Sequence, residues 1–91
     1  MSRSNTVFIG RKPILNYVLA CMTMFKSGQE EVLVKARGRS ISTAVDVVEV
    51  MRNRFMTDLK IGDIIIGTEE LTSPDRNKPT NVSAIEIKLH R

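Results

Sequence analysis

Twice in this chain a short apolar strand runs into an apolar helix through a turn of glycine and cations. The first passage is VFIGRKPILNYVLAC, from Val7, and the second is EEVLVKARGRSISTAVDVV, from Glu30. Strand–helix–strand–helix with connectors this short restricts the chain to a βαβα beginning, and strand twist makes the crossover right-handed. With the first two strands parallel, both turns lie at one edge of the sheet.

The local chemistry supports each element. TVFIG is a strand of β-branched and aromatic residues closed by Gly10. Pro13 fits the first helical turn, where its missing N–H costs nothing. Ile14, Leu15, Val18, Leu19, Met22 and Phe25 then recur at helical spacing, and Gly28 follows the last turn. In the second strand Val32, Val34 and Ala36 face one way and Leu33, Lys35 and Arg37 the other. Ser40 or Ser42 is expected to cap a second helix reaching to about Phe55. Its stripe of Ala44, Val48, Met51 and Phe55 is widened by Val45, Val47 and Val50. A helix apolar that far round is covered on more than one side. In so short a chain the second cover points to a subunit interface, most simply a two-fold dimer, the alternative being a helix buried centrally in a monomer.

From Lys60 the pattern changes to two long strands, KIGDIIIGTEELT and NVSAIEIKLHR, joined by the turn formers of SPDRNKP. In the second of them Ile85, Ile87 and Leu89 alternate with Glu86, Lys88 and His90, while Gly62 and Gly67 mark bends or bulges in the first. Strands of about ten residues span roughly 30 Å, so the hairpin tip, with Arg76 and Lys78, is expected to project as an arm. The expected organisation is one domain over residues 1–91, with residues 1–5 a tail and about 60–91 the hairpin. The sole cysteine, Cys21, reads as a buried thiol and fits a reducing, cytoplasmic compartment. No stretch approaches the length of a membrane span.

The chain has a formal net charge of +4 and a pI of about 9.6. Its first 29 residues hold four cations (Arg3, Arg11, Lys12 and Lys26) and no acid. Arg11 and Lys12 stand at a helix start, where the macrodipole favours anions. An anionic partner resolves that conflict. The parallel arrangement would gather Arg11, Lys12, Lys35, Arg37 and Arg39 beside free helix N–H groups, a setting suited to phosphate oxygens. An enzyme is not expected. His90 is the sole histidine, Glu69 and Glu70 point to opposite faces of a strand, and no metal or cofactor fingerprint occurs. Phe8, Tyr17, Phe25 and Phe55 read as core or interface rather than as a stacking platform for single strands. The reading is backbone-directed binding of double-stranded DNA with little sequence selectivity, or of RNA through the same surface.

Three separated blocks, IGRKPILNYVLA, VKARGRSISTAVDVVEVMRNRF and VSAIEIKLHR, resemble the Alba family of archaeal chromatin proteins, over about Thr6 to Arg91. The resemblance implies an α+β fold, βαβαββ, with two helices on a four-stranded mixed sheet and a long C-terminal hairpin, similar to the C-terminal domain of translation initiation factor three. It implies a homodimer, or a heterodimer with a paralogue, that coats chromosomal duplex DNA, assembles dimer on dimer, and also binds RNA. The family's central basic pair falls on Arg11 and Lys12, with Asn16 in the same block, and its further basic contacts fall on Arg37 and Arg39. The hairpin arms, here carrying Arg76 and Lys78, would reach the minor groove, and the dimer–dimer phenylalanine falls on Phe55. Where an acetylation-controlled relative has lysine, this chain has Arg11, which leaves Lys12 as the candidate for that modification.

Overall fold

The computed structural model describes residues 5–72 and 79–91. Strand β1 (Thr6–Phe8) leads to helix α1 (Ile14–Lys26), strand β2 (Glu31–Arg37) and helix α2 (Ser40–Val50). A wide π-type turn, Met51–Phe55, ends the second helix. Strands β3 (Lys60–Leu71) and β4 (Thr80–His90) complete the chain. The sheet order is β1-β2-β4-β3. Strand β1 runs parallel to β2, while β4 runs antiparallel to both β2 and β3.

Val7, Val32, Val34, Ala36, Ile87 and Leu89 are buried on the helix side of the sheet beneath Val18, Cys21, Phe25, Ala44, Val47, Val48 and Met51. The sheet therefore has one covered and one open face. Phe8, Leu33, Lys35, Glu86 and Lys88 share the open face by register. Cys21 is wholly buried, and burial pushes its thiol pKa up to about 12. Arg91 locks the far end of α1, donating to the Phe25 carbonyl at 2.9 Å and standing 5.6 Å from the centre of its ring. Among the described residues no helix is long and apolar enough to cross a membrane.

Several details depart from the expectations. Pro13 is the N-cap of α1 rather than its first residue, and the buried stripe is Tyr17, Val18, Cys21 and Phe25. Leu15 and Leu19 lie on the exposed flank, because the helix is rotated to set the smaller Val18 and Cys21 against the sheet. Arg39, not a serine, is the N-cap of α2, and no side chain caps it. The broad face of α2 is used mostly within the chain, with Val47 buried and Val50 half-buried, so Val45 remains as its exposed apolar residue. The register between β3 and β4 shifts between Ile61 and Ile64, around Gly62, whereas Gly67 pairs regularly with Ala84 and marks no bulge. Of the four aromatics read as core or interface, Tyr17 and Phe25 are core, whereas Phe8 and Phe55 are 63% and 48% exposed.

Candidate nucleic-acid interface

Because β1 and β2 are parallel, the two strand-to-helix turns leave the sheet at the same edge. Between them lies an open concavity of about 890 Å³ lined by Gly10, Arg11, Lys12, Pro13, Ile14, Arg37, Arg39, Ser40 and Thr43. Four of the expected cations therefore converge, and Arg11, Lys12, Arg37 and Arg39 are all exposed. Asn16 is exposed on the first turn of α1, and its N–H is engaged by the Pro13 carbonyl at 3.0 Å.

Both helices that start at this concavity begin without an acidic residue in the first turn and without a side-chain cap. Most helices satisfy their first N–H groups with Ser, Thr, Asp or Asn, and they favour negative charge there. Here two positive helix ends meet cationic side chains instead. An arriving phosphate could accept hydrogen bonds from main-chain N–H groups and lie among the side-chain charges at once.

The two turns are built differently. In the first, the Tyr17 hydroxyl accepts from the N–H of Gly10 and from that of Lys12, each at 2.9 Å. In the second, Gly38 adopts a left-handed conformation (φ +54°) open to glycine at little cost, and its N–H donates to the Ser83 carbonyl of β4 at 2.9 Å. Its own carbonyl accepts from Ile41 N–H at 3.2 Å, tightening the start of α2.

Lys35 does not join the concavity. It shares the open face with Arg37 but lies two residues further from the strand end, level with Glu86, with which it pairs at 3.3 Å. Arg37 lines the concavity and also meets Glu69 of the hairpin at 3.3 Å. Both pairs are substantially exposed and hold their partners weakly. Arg76 and Lys78 lie outside the described residues. Phe55 stands at the end of the π-type turn, beside exposed Arg52 and Arg54, and Arg52 is tied to Glu49 at 2.9 Å. The sequence reading missed three contributors. Ser40 and Thr43 line the concavity, and Tyr17 organises its first turn. Ser40 and Thr43 lie three apart in the first turn of α2, directly after Arg39, a helical spacing that could have indicated the first two.

The Alba family profile matches residues 5–68. The chain belongs to the Alba family. A relative from Methanocella arvoryzae, named DNA/RNA-binding protein Alba, is 54% identical over 91 residues, covering 100% of this chain and 94% of the relative. A protein of the same name from Methanothrix thermoacetophila is 56% identical over 98% of each chain. DNA/RNA-binding protein Alba 1 from Archaeoglobus fulgidus is 55% identical over 93% of each. Among solved structures, Alba from Thermoplasma volcanium superposes with a TM-score of 0.87 at 44% identity, covering 94% of this chain and 99% of that one. ALBA1 from Trypanosoma brucei superposes with a TM-score of 0.80 at 26% identity, covering all of this chain and 72% of that one. The α+β architecture is thus the Alba fold, two helices on a four-stranded mixed sheet.

Proposed function

We propose that this chain is a non-enzymatic, architectural nucleic-acid-binding protein that holds double-stranded DNA by its backbone with little sequence selectivity. The observation that carries the reading is the shared concavity: four cations and the N-termini of two uncapped helices line one open surface. The relatives named DNA/RNA-binding protein Alba support the same class of partner. Arg11 and Lys12 make the central phosphate contacts, with Asn16 beside them and Arg37 and Arg39 flanking. Arg76 and Lys78 extend the contact into the minor groove. Acetylation of Lys12 would remove one charge from the set.

The working unit is a dimer, a homodimer or a heterodimer with a paralogue, so that two such surfaces act together. Its support is apolar surface without cover: Val45 on α2, and Ile64 and Ile66 on β3, are exposed. Ile64 and Ile66 pair with Ile87 and Ile85, and so lie on the helix side of the sheet. Phe55 meets a neighbouring dimer along the duplex, a role supported by its exposure at the π-type turn. Compaction or bridging of chromosomal DNA follows from that repetition.

The test is the double variant Arg11→Ala/Lys12→Ala, checked for fold by circular dichroism. Affinity is expected to fall about equally on duplexes of different sequence, and the log–log salt slope to flatten by about 1.8, the yield of two lost phosphate contacts. Unchanged affinity in the folded variant would reject the assignment. RNA is the second reading, supported by the DNA/RNA-binding relatives. Competition between matched RNA and DNA duplexes at one salt concentration separates the two.

A further inference from the structure

Tyr17 belongs to the core by its ring and to the concavity's first turn by its oxygen. The residue is 7% exposed and belongs to the buried cluster that also holds Val7, Ile9 and Val18. It does not line the concavity. Helical side chains tilt toward the helix N-terminus. A tyrosine one turn into α1 therefore reaches back past Pro13, and its hydroxyl arrives beneath the turn that precedes the helix. There it accepts from Gly10 N–H and Lys12 N–H, both at 2.9 Å. These two donors flank Arg11 on either side. The oxygen's two lone pairs are both used, one for each N–H. The ring is held by the core, so the oxygen is a fixed point and the turn is suspended from it. A β-carbon added at Gly10 would stand 3.4 Å from this same oxygen, which shows how closely the main chain passes.

We infer that Tyr17 is a positioning residue for the cationic turn: its hydroxyl, anchored in the core, sets the main chain on both sides of Arg11 and so holds Arg11 and Lys12 toward the polyanion. This rests on the proposal that Arg11 and Lys12 contact phosphates. No other described side chain bonds to the main chain of Gly10, Arg11 or Lys12. Ile9 N–H is held by the Lys35 carbonyl at 2.9 Å, so the strand before the turn is fixed independently. Removing the oxygen thus frees the turn and leaves its two ends in place. Unpinned, the two side chains would occupy many geometries, and the ordering cost of aligning both on phosphates exceeds what the second contact returns, so that one of the two contacts is given up at binding.

The experiment compares Tyr17→Phe with the intact protein and with Arg11→Ala/Lys12→Ala. Phenylalanine keeps the ring in the core and removes only the acceptor. Circular dichroism should retain the native spectrum, and amide spectra should show shifts concentrated at Gly10, Arg11 and Lys12. Affinity for a short mixed-sequence duplex should fall by about tenfold, with a salt slope shallower by about 0.9, one phosphate contact. Partial unfolding would lower the active fraction and leave that slope unchanged. Native affinity and native slope in folded Tyr17→Phe, alongside weakened Arg11→Ala/Lys12→Ala, would overturn the role of Tyr17 and leave the phosphate reading standing. Native binding by both variants would remove the phosphate reading itself. Hydrogen exchange in the intact protein gives a second check that no variant can spoil. The amides of Gly10 and Lys12 should exchange more slowly than that of Arg11, and equal rates at all three would contradict the clamp.

Discussion

The block formed by β1, α1, β2 and α2 and the outer half of the β3–β4 hairpin are both rich in β-branched residues, yet they use them in opposite ways. In the block, Val32, Val34, Val47 and Val48 are buried against one another and against Phe25 and Met51. In the hairpin, Ile64, Ile65 and Ile66 stand in three successive exposed positions, Ile66 at 78%. Strand formers there gain the main-chain ladder with β4 and little apolar burial within the chain. The block is specified by its own contacts. The hairpin's exposed isoleucines are not specified by contacts within the chain; in the proposed dimer a second copy covers Ile64 and Ile66.

The largest effect that could break this contrast is in the block. Phe25→Ala removes a ring that is 2% exposed and also the surface on which Arg91 rests. It is expected to cost about 3–5 kcal/mol, read as a lowered midpoint in urea. A cost below about 1 kcal/mol would mean that the block is packed far more loosely than its burial implies. Next in size is an alkaline effect at Cys21. Burial pushes its folded pKa up to about 12 from an ordinary thiol value of 9.0, so the unfolded chain loses that proton first as pH rises. Its contribution to stability is therefore whole below pH 9 and declines as pH climbs from about 9 toward 12. Cys21→Ala should show a shallower alkaline decline, measured as urea midpoint against pH, and the native thiol should resist a disulfide reagent at neutral pH. The smallest effect is in the hairpin. Ile66→Ala should cost less than about 0.5 kcal/mol at concentrations where the chain is monomeric. It should also weaken the concentration dependence of the melting temperature that a dimer confers. A melting temperature independent of concentration in the parent chain would remove the dimer from the account.

The same division governs what could be read from the sequence. Alternation in β2 and β4 identified the buried faces correctly, because a period of two leaves only two choices. Rotation of α1 was harder. Leu15 and Val18 are equally apolar, and only the geometry of the sheet beneath selects Val18 for burial. The convergence of Arg11, Lys12, Arg37 and Arg39 was legible, since parallel strands oblige successive strand-to-helix turns to share an edge. Lys35 was placed with them wrongly: it shares Arg37's face by alternation, but it lies two residues further back along β2, roughly 7 Å from Arg37, where Glu86 of the neighbouring strand takes its charge. Glu69 and Glu86 could not be matched with Arg37 and Lys35 in advance, since that depends on strand order and register. Tyr17 was read by its ring alone. Its oxygen acts on a turn whose path the sequence does not display.

Amide chemical-shift mapping during titration with a short mixed-sequence duplex tests the central claim most directly. The shared edge predicts the largest changes at Gly10–Lys12, the first turn of α1 and Arg37–Thr43, with little change at Gln29–Glu31 and Asp63 at the opposite end of the sheet. Changes confined to that opposite end, or to one turn without the other, would contradict it.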